Sequence, residues 1–239
     1  MNALLDAVLE AHGGLARFNR HETVSVTVLT GGALWESKGI VMDAFERRAT
    51  AATSREWSSV TPFGNPGWVM NFVPERIEVL DEQQKVVAER DHPRAAFAGH
   101  GRFTPWDPMH RAYFNGYALW TYLTSPFLLA LPGVAVSEVA PWLEGRDSWR
   151  VLRAVFPDSI ASHSRQQDFY FDSDYLLRRH DYQVDVAGGF AAAQYIDGMH
   201  EVDGLMFPRK RRAYPRLDNG QPQREQLLVS IDLSDYALR

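Results

Sequence analysis

The sequence predicts a mainly β protein (α+β): a strongly curved antiparallel sheet forming an open half-barrel of about ten to eleven strands, with helices in its concave side. Three features predict it. Short runs of alternating apolar and polar residues recur along the chain, separated by turn residues. One central stretch changes from a period of two to a helical period. Aromatic residues make up 12% of the 239 positions, enough to fill or line a wide interior.

The elements follow in order. Within MNALLDAVLEAHGG, Leu5, Val8, Leu9 and His12 recur at helical spacing, and Gly13-Gly14 ends the helix. Val24, Val26 and Val28 then alternate with Thr23, Ser25 and Thr27, a strand signal closed by Gly31-Gly32. Further strands are expected at 35–53, 55–61, 67–74, 76–81 and 85–90. Asp107 as N-cap and Pro108 at the first helical position open a central helix running to about Leu123, before Pro126. Its residues His110, Tyr113, Phe114, Tyr117, Trp120 and Thr121 share one face, and a short second helix is expected at Phe127–Leu129. Strands resume at 148–156, 159–171, 175–187, 191–201, 205–214 and 225–233, with hairpin signals at Asp203-Gly204 and Asn219-Gly220. With no repeat and no linker, the length suits one domain over 1–239.

Composition excludes several classes. Net charge is −5, which argues against nucleic acid as a partner. The run Arg209-Lys210-Arg211-Arg212 reads as one strand with a solvated face rather than a basic tail. With no cysteine, disulfides, thiolate nucleophiles and Cys-based zinc sites are excluded. The N-terminus has acidic residues and no basic leader region, and the most apolar window is broken by Pro126 and Pro132. A cytoplasmic protein without a membrane span is therefore expected. No HxH, HExxH, P-loop, GxGxxG or GxSxG pattern occurs, so no metal and no cofactor is expected.

The order of elements, with the segments AHGG, FYFDSDYLLRRHDY and EVDGLMFPRKRRAYPR, resembles the LolA/LolB-like superfamily of lipoprotein carriers. More narrowly, it resembles uncharacterised cytoplasmic bacterial proteins of similar length. The superfamily's fold is an unclosed β-barrel with helices in its hollow. The resemblance therefore implies a concave apolar interior able to hold a hydrophobic ligand. It brings no catalytic residues with it, and function has to be argued from a site.

The candidate site is drawn from residues expected to face that hollow. His180 lies on a strand face with Leu176, Arg178, Tyr182 and Val184, whereas Asp181 points the other way. Centring the preceding turn between Ser173 and Asp174 pairs His163 with Val184, on the face of His180. His110 sits in the first turn of the central helix, where the cationic form is disfavoured. His180, His163 and His110 are the candidate acid/base groups; for His180 and His163 a satisfied core histidine is the plainer reading. Tyr113, Tyr117, Trp120, Arg153 and Tyr182 are the candidate ligand contacts, with ordinary core packing as the plainer reading of the aromatics. Arg153 shares a strand face with Trp149, Val151 and Val155 and suits a ligand carboxylate or a neighbouring acid. Two main functions follow: a carrier of an apolar or amphipathic small molecule, or a cofactor-free enzyme of cyclase, isomerase or dehydratase type using the same hollow. A surface receiving a partner segment is a third.

Overall fold

The computed structural model describes residues 2–41 and 45–239. Helix α1 (Ala3–Ala11) is capped by the Asn2 side chain, which accepts from the backbone N–H groups of Leu4 and Leu5, and it buries Leu4, Val8 and Leu9. A short turn of helix, α2 (Leu15–Phe18), leads into strand β1 (Thr23–Gly31), whose Val24, Val26 and Val28 are buried as their alternation requires. Next come α3 (Ala33–Ser37), β2 (Arg47–Ala52), β3 (Ser58–Thr61), β4 (Val69–Val73), β5 (Arg76–Leu80) and β6 (Val86–Asp91). A 3-10 turn at Pro93–Phe97 precedes the central helix α4 (Pro108–Thr124), and a second one follows it at Phe127–Ala130. The remainder is β7 (Ala135–Glu144), β8 (Asp147–Val155), β9 (Gln166–Phe171), β10 (Leu177–Val184), β11 (Phe190–Asp197), β12 (His200–Val202), β13 (Leu205–Phe207), β14 (Lys210–Pro215) and β15 (Val229–Leu238).

Thirteen strands form one antiparallel sheet in the order β6-β5-β4-β3-β2-β1-β15-β14-β11-β10-β9-β8-β7, and β12 pairs with β13 apart from it. The sheet is larger than the ten to eleven strands expected. Its ends, β6 and β7, are not paired with each other, so it stays open. The two halves join where β1 meets β15. Helix α4 packs on β2 to β6. Through Tyr122 it also meets side chains of β10, β11 and β14. A sheet that touches one helix from both halves must curve around it.

Several strand expectations change: 159–171 shortens to β9, 191–201 divides into β11 and β12, and 205–214 divides into β13 and β14. The predicted strand 35–53 is replaced by α3 and the short β2, with residues 42–44 of that prediction lying outside the described residues. Aromatic Trp35 suggests a strand locally, but burial of Leu34 and Trp35 decides for a turn of helix. Gly32 allows the entry. Its φ is 106°, and a Cβ there would lie 2.3 Å from the Leu228 carbonyl oxygen. Strand β7 was not anticipated. It is an exposed edge strand in which Pro141 falls within a register shift between Val139 and Trp142, a place where a strand tolerates proline.

Helix α4 shows why the hollow is full. Asp107 and His110 form the cap reciprocally: Asp107 Oδ1 accepts from the His110 backbone N–H at 2.8 Å, and His110 Nδ1 accepts from the Asp107 N–H at 3.1 Å. Every residue from Met109 to Thr124 is buried. A helix apolar on one face alone would leave its other side wet. This one is enclosed on all sides. Gly116 lets it approach β4 closely, since a Cβ would lie 2.3 Å from the Phe72 ring.

The segments that carry the family resemblance meet in space. Gly13 packs against the Gly204 carbonyl, which also accepts from Arg17 Nη1 at 2.7 Å. The His12 carbonyl accepts from the Met206 N–H, and His12 Nε2 accepts from the Leu177 N–H at 3.4 Å. The joint between α1, the β12–β13 hairpin and the start of β10 thus accounts for these motifs. They specify fold.

Candidate functional site

His180 and His163 lie on the same side of the sheet, beneath α4. A bulge between Leu177 and Arg179 sets His180 opposite Phe169, so inward-facing Leu177 and His180 lie three residues apart and the alternation expected through Leu176 and Arg178 breaks there. His180 Nε2 donates to Gln167 Oε1 at 2.6 Å, whose amide nitrogen donates to the Ser164 carbonyl at 2.7 Å. The ring stacks on Phe169 at 4.2 Å. Asp181, its chain neighbour, faces outward and holds Arg179 at 2.6 and 2.7 Å, under the rings of Trp142, Tyr170 and Tyr195. One strand therefore carries an imidazole network inside and an ion pair outside.

His163 is the centre of the inner network. Its Nε2 lies 2.7 Å from the Tyr122 hydroxyl and its Nδ1 3.3 Å from that of Tyr117. The Tyr122 hydroxyl lies 3.2 Å from that of Tyr182, whose ring stacks on His163 at 3.9 Å. Burial disfavours charge throughout. It lowers His163 to about 3, pushes His180 well below its ordinary range and raises the tyrosines. Both histidines have 0% exposure, so these are neutral hydrogen-bonding groups without access to solvent.

The other predicted residues are placed as follows. His110 lies apart, held between its cap and the Ala96 carbonyl, against Phe97. Trp120 donates from its indole nitrogen to the Ala52 carbonyl at 3.1 Å and is core. Tyr113 and Tyr117 stack edge to face along α4. Arg153 lies on the outer face, bidentate to Asp168 at 2.8 and 2.9 Å. Of the basic run, Arg211 turns inward to donate to Gln194 Oε1 and the Tyr122 carbonyl, each at 2.9 Å. Arg212 pairs with Asp232 on the other face.

Open space begins one layer above His163. A cavity of about 390 Å³ at the mouth of the hollow is lined by Arg94, Tyr113, Phe156, Pro157, Ile160 and Ser162, among others. Phe156, Pro157 and Ile160 give it an apolar wall. Arg94 gives it a charge: Nη1 donates to the Ser162 carbonyl at 3.0 Å and Nη2 to Asp185 at 3.2 Å. Behind Ala161 stands Glu56, whose Oε2 accepts from the Ala161 N–H at 2.9 Å. Burial pushes its carboxyl up to about 8, against the opposing pull of that hydrogen bond and of Arg94. Sequence reasoning missed Arg94 and Glu56. Both sit in irregular segments flanking strands, where no periodicity points inward.

Comparison with known proteins gives the fold. No protein-family model matches the chain, and no curated protein does. Among solved structures, a LolA superfamily protein from Nitrosomonas europaea aligns over 97% of this chain and 92% of its own, with TM-score 0.56 and 13% identity. A DUF1329 family protein from Desulfovibrio piger covers 99% and 92%, with TM-score 0.54 and 10% identity. A putative outer membrane lipoprotein-sorting protein domain from Vibrio parahaemolyticus covers 96% and 93%, with TM-score 0.51 and 9% identity. The chain thus has a LolA-like fold, an open antiparallel sheet around a central helix. Among the described residues, no helix is long and apolar enough to cross a membrane.

Proposed function

We propose that the protein binds an amphipathic small molecule in the mouth cavity, as a carrier or binding protein. The carrying observation is the mixed lining of that cavity: apolar Phe156, Pro157 and Ile160 beside the charged or polar Arg94, Tyr113, Asp158, Arg165 and Asp185. Its volume of about 390 Å³ falls in the range of small-molecule sites. The apolar wall supplies affinity by removing ligand surface from water, about 25 cal/mol per Å². The polar residues set orientation. The LolA superfamily and lipoprotein-sorting neighbours suit the same reading, although at their identity they speak to fold alone.

The enzyme alternative requires at least two titrating groups within reach of one ligand position. His163 and His180 are enclosed and held neutral, and His110 is bound into a helix cap. That arrangement favours binding over acid/base turnover. A cytoplasmic location belongs to the same proposal and rests on the sequence alone.

Native mass spectrometry of the purified protein tests the reading. A co-purifying amphipath that is lost in Ile160→Trp, where the indole fills the cavity, supports it. A ligand retained at full occupancy by that variant places binding elsewhere and overturns it.

A further inference from the structure

The outer face of the second half of the sheet carries a groove that shares no residue with the lining of the mouth cavity. Its volume is about 710 Å³, and it lies between the turn of the β7–β8 hairpin, the turn before β10, and strands β11 and β14. Two half-buried rings line it, Trp149 from β8 and Tyr214 from β14. Both meet Tyr195 at an angle: its ring is tilted 59° to Trp149 at 6.4 Å and 68° to Tyr214 at 6.2 Å. Tyr195 itself is covered by the guanidinium groups of Arg224 and Arg179, 4.1 and 5.4 Å from its centroid. The Trp149 and Tyr214 rings are stacked on nothing among the described residues, with Arg224 5.9 Å from the Tyr214 centroid.

Polar groups of both kinds border these rings. Arg146 and Asp147 are exposed in the hairpin, and their side chains pair with nothing among the described residues. Asp197 accepts from the Gly198 N–H through Oδ1, which leaves its second oxygen. Arg178 reaches Asp172 through Nε at 2.5 Å, which leaves its two terminal nitrogens. Arg212 and Arg224 are balanced by Asp232 and Glu144. A polyanion would meet the carboxylates of Asp147 and Asp197, and a polycation would meet Arg146 and Arg178. An extended peptide would need a free strand edge or apolar sockets. Strands β11 and β14 are paired on both sides, and Ile196, the only aliphatic residue among the described residues of the lining, is buried in the core.

We propose that this groove binds a neutral oligosaccharide, with the C–H faces of its sugar rings on Trp149 and Tyr214 and its hydroxyls donating to Asp147 and Asp197 and accepting from Arg146 and Arg178. A sugar ring is apolar on its C–H face, which suits an aromatic platform. Each hydroxyl at its rim both donates and accepts, so neighbouring carboxylates and guanidinium groups serve it equally. The volume falls in the range of small-molecule sites and suits about two or three sugar rings.

Isothermal titration calorimetry with neutral maltotriose, cellotriose and triacetylchitotriose, against anionic trigalacturonate and the cationic glucosamine trimer, tests the assignment. At least one neutral trimer should bind with a Kd of about 1 mM or tighter, at least about tenfold tighter than either charged trimer. Trp149→Ala should weaken that binding about tenfold. Arg146→Ala combined with Asp147→Ala should weaken it about fivefold. Ile160→Trp, in the mouth cavity, should leave it unchanged, which keeps this test apart from that of the proposed carrier function. Should Trp149→Ala fail to fold, the exposed hairpin variant decides. Three results overturn the proposal: no neutral trimer binding at about 10 mM, a charged trimer binding as tightly as the best neutral one, or sugar binding that the hairpin variant leaves intact.

Discussion

The hollow of this fold has two regions built from similar residues to different ends. Around His163 and His180 the space is filled by Tyr117, Tyr122, Tyr182 and Phe169, and the imidazoles are neutral because nothing wet can reach them. At the mouth, Arg94 and Tyr113 border open volume, and behind Ala161 the Glu56 carboxyl is raised to about 8. Both sets of groups are perturbed by burial. Only the second combines perturbation with access. A shifted pKa marks a candidate site when a ligand can arrive at it, and marks packing when none can.

Breaking the filled region should cost stability and little else. Trp120→Ala should lose about 3–5 kcal/mol in urea denaturation, since it empties a fully enclosed site and strands the Ala52 carbonyl. Tyr122→Phe removes a hydroxyl shared by His163 and Tyr182 and should cost about 1–3 kcal/mol, with ligand affinity of the folded protein unchanged.

Acid should also reveal the filled region. His163 is lowered from 6.5 to about 3 and His12 to about 4, so the unfolded chain takes up protons first. Stability should therefore be complete above pH 6.5 and fall as pH drops toward 3. Thermal melts of His163→Gln should show a shallower decline; an unchanged slope would place the acid sensitivity elsewhere. Glu56 at the mouth gives the opposite sign. Its carboxyl is raised from 4.5 to about 8, so its contribution is complete below 4.5 and lost as pH rises through 8. Glu56→Gln should accordingly raise the melting temperature at alkaline pH and change it little at acid pH. The smallest effect is expected outside the hollow altogether. Arg153→Ala breaks a partly exposed pair with Asp168 and should cost less than about 1 kcal/mol without touching ligand binding.

The contrast also sorts what could be read in advance. The central helix was legible almost to the residue, because Asp107-Pro108 and Pro126 are local signals. His163 and His180 do meet the same tyrosines, but not through strand parity: His163 lies in the loop before β9 rather than paired with Val184, and a bulge shifts the register before His180. The filling of the hollow was not legible either. Periodicity marks one face of α4 as apolar, but nothing local says that two halves of a sheet will close on it from both sides. Arg153 illustrates the same limit. Its strand face was read correctly, yet which face lines the hollow depends on how the whole sheet curls.

The sequence by itself determined the central helix, most of the strands, the open antiparallel class and the lack of any thiol, because alternation, capping residues and composition act over a few residues. Only the tertiary structure decided where space remains. Volume is set by the difference between a curved sheet and what packs inside it, a quantity to which residues as distant as Arg94, Tyr113 and Phe156 all contribute and which none of them reveals alone.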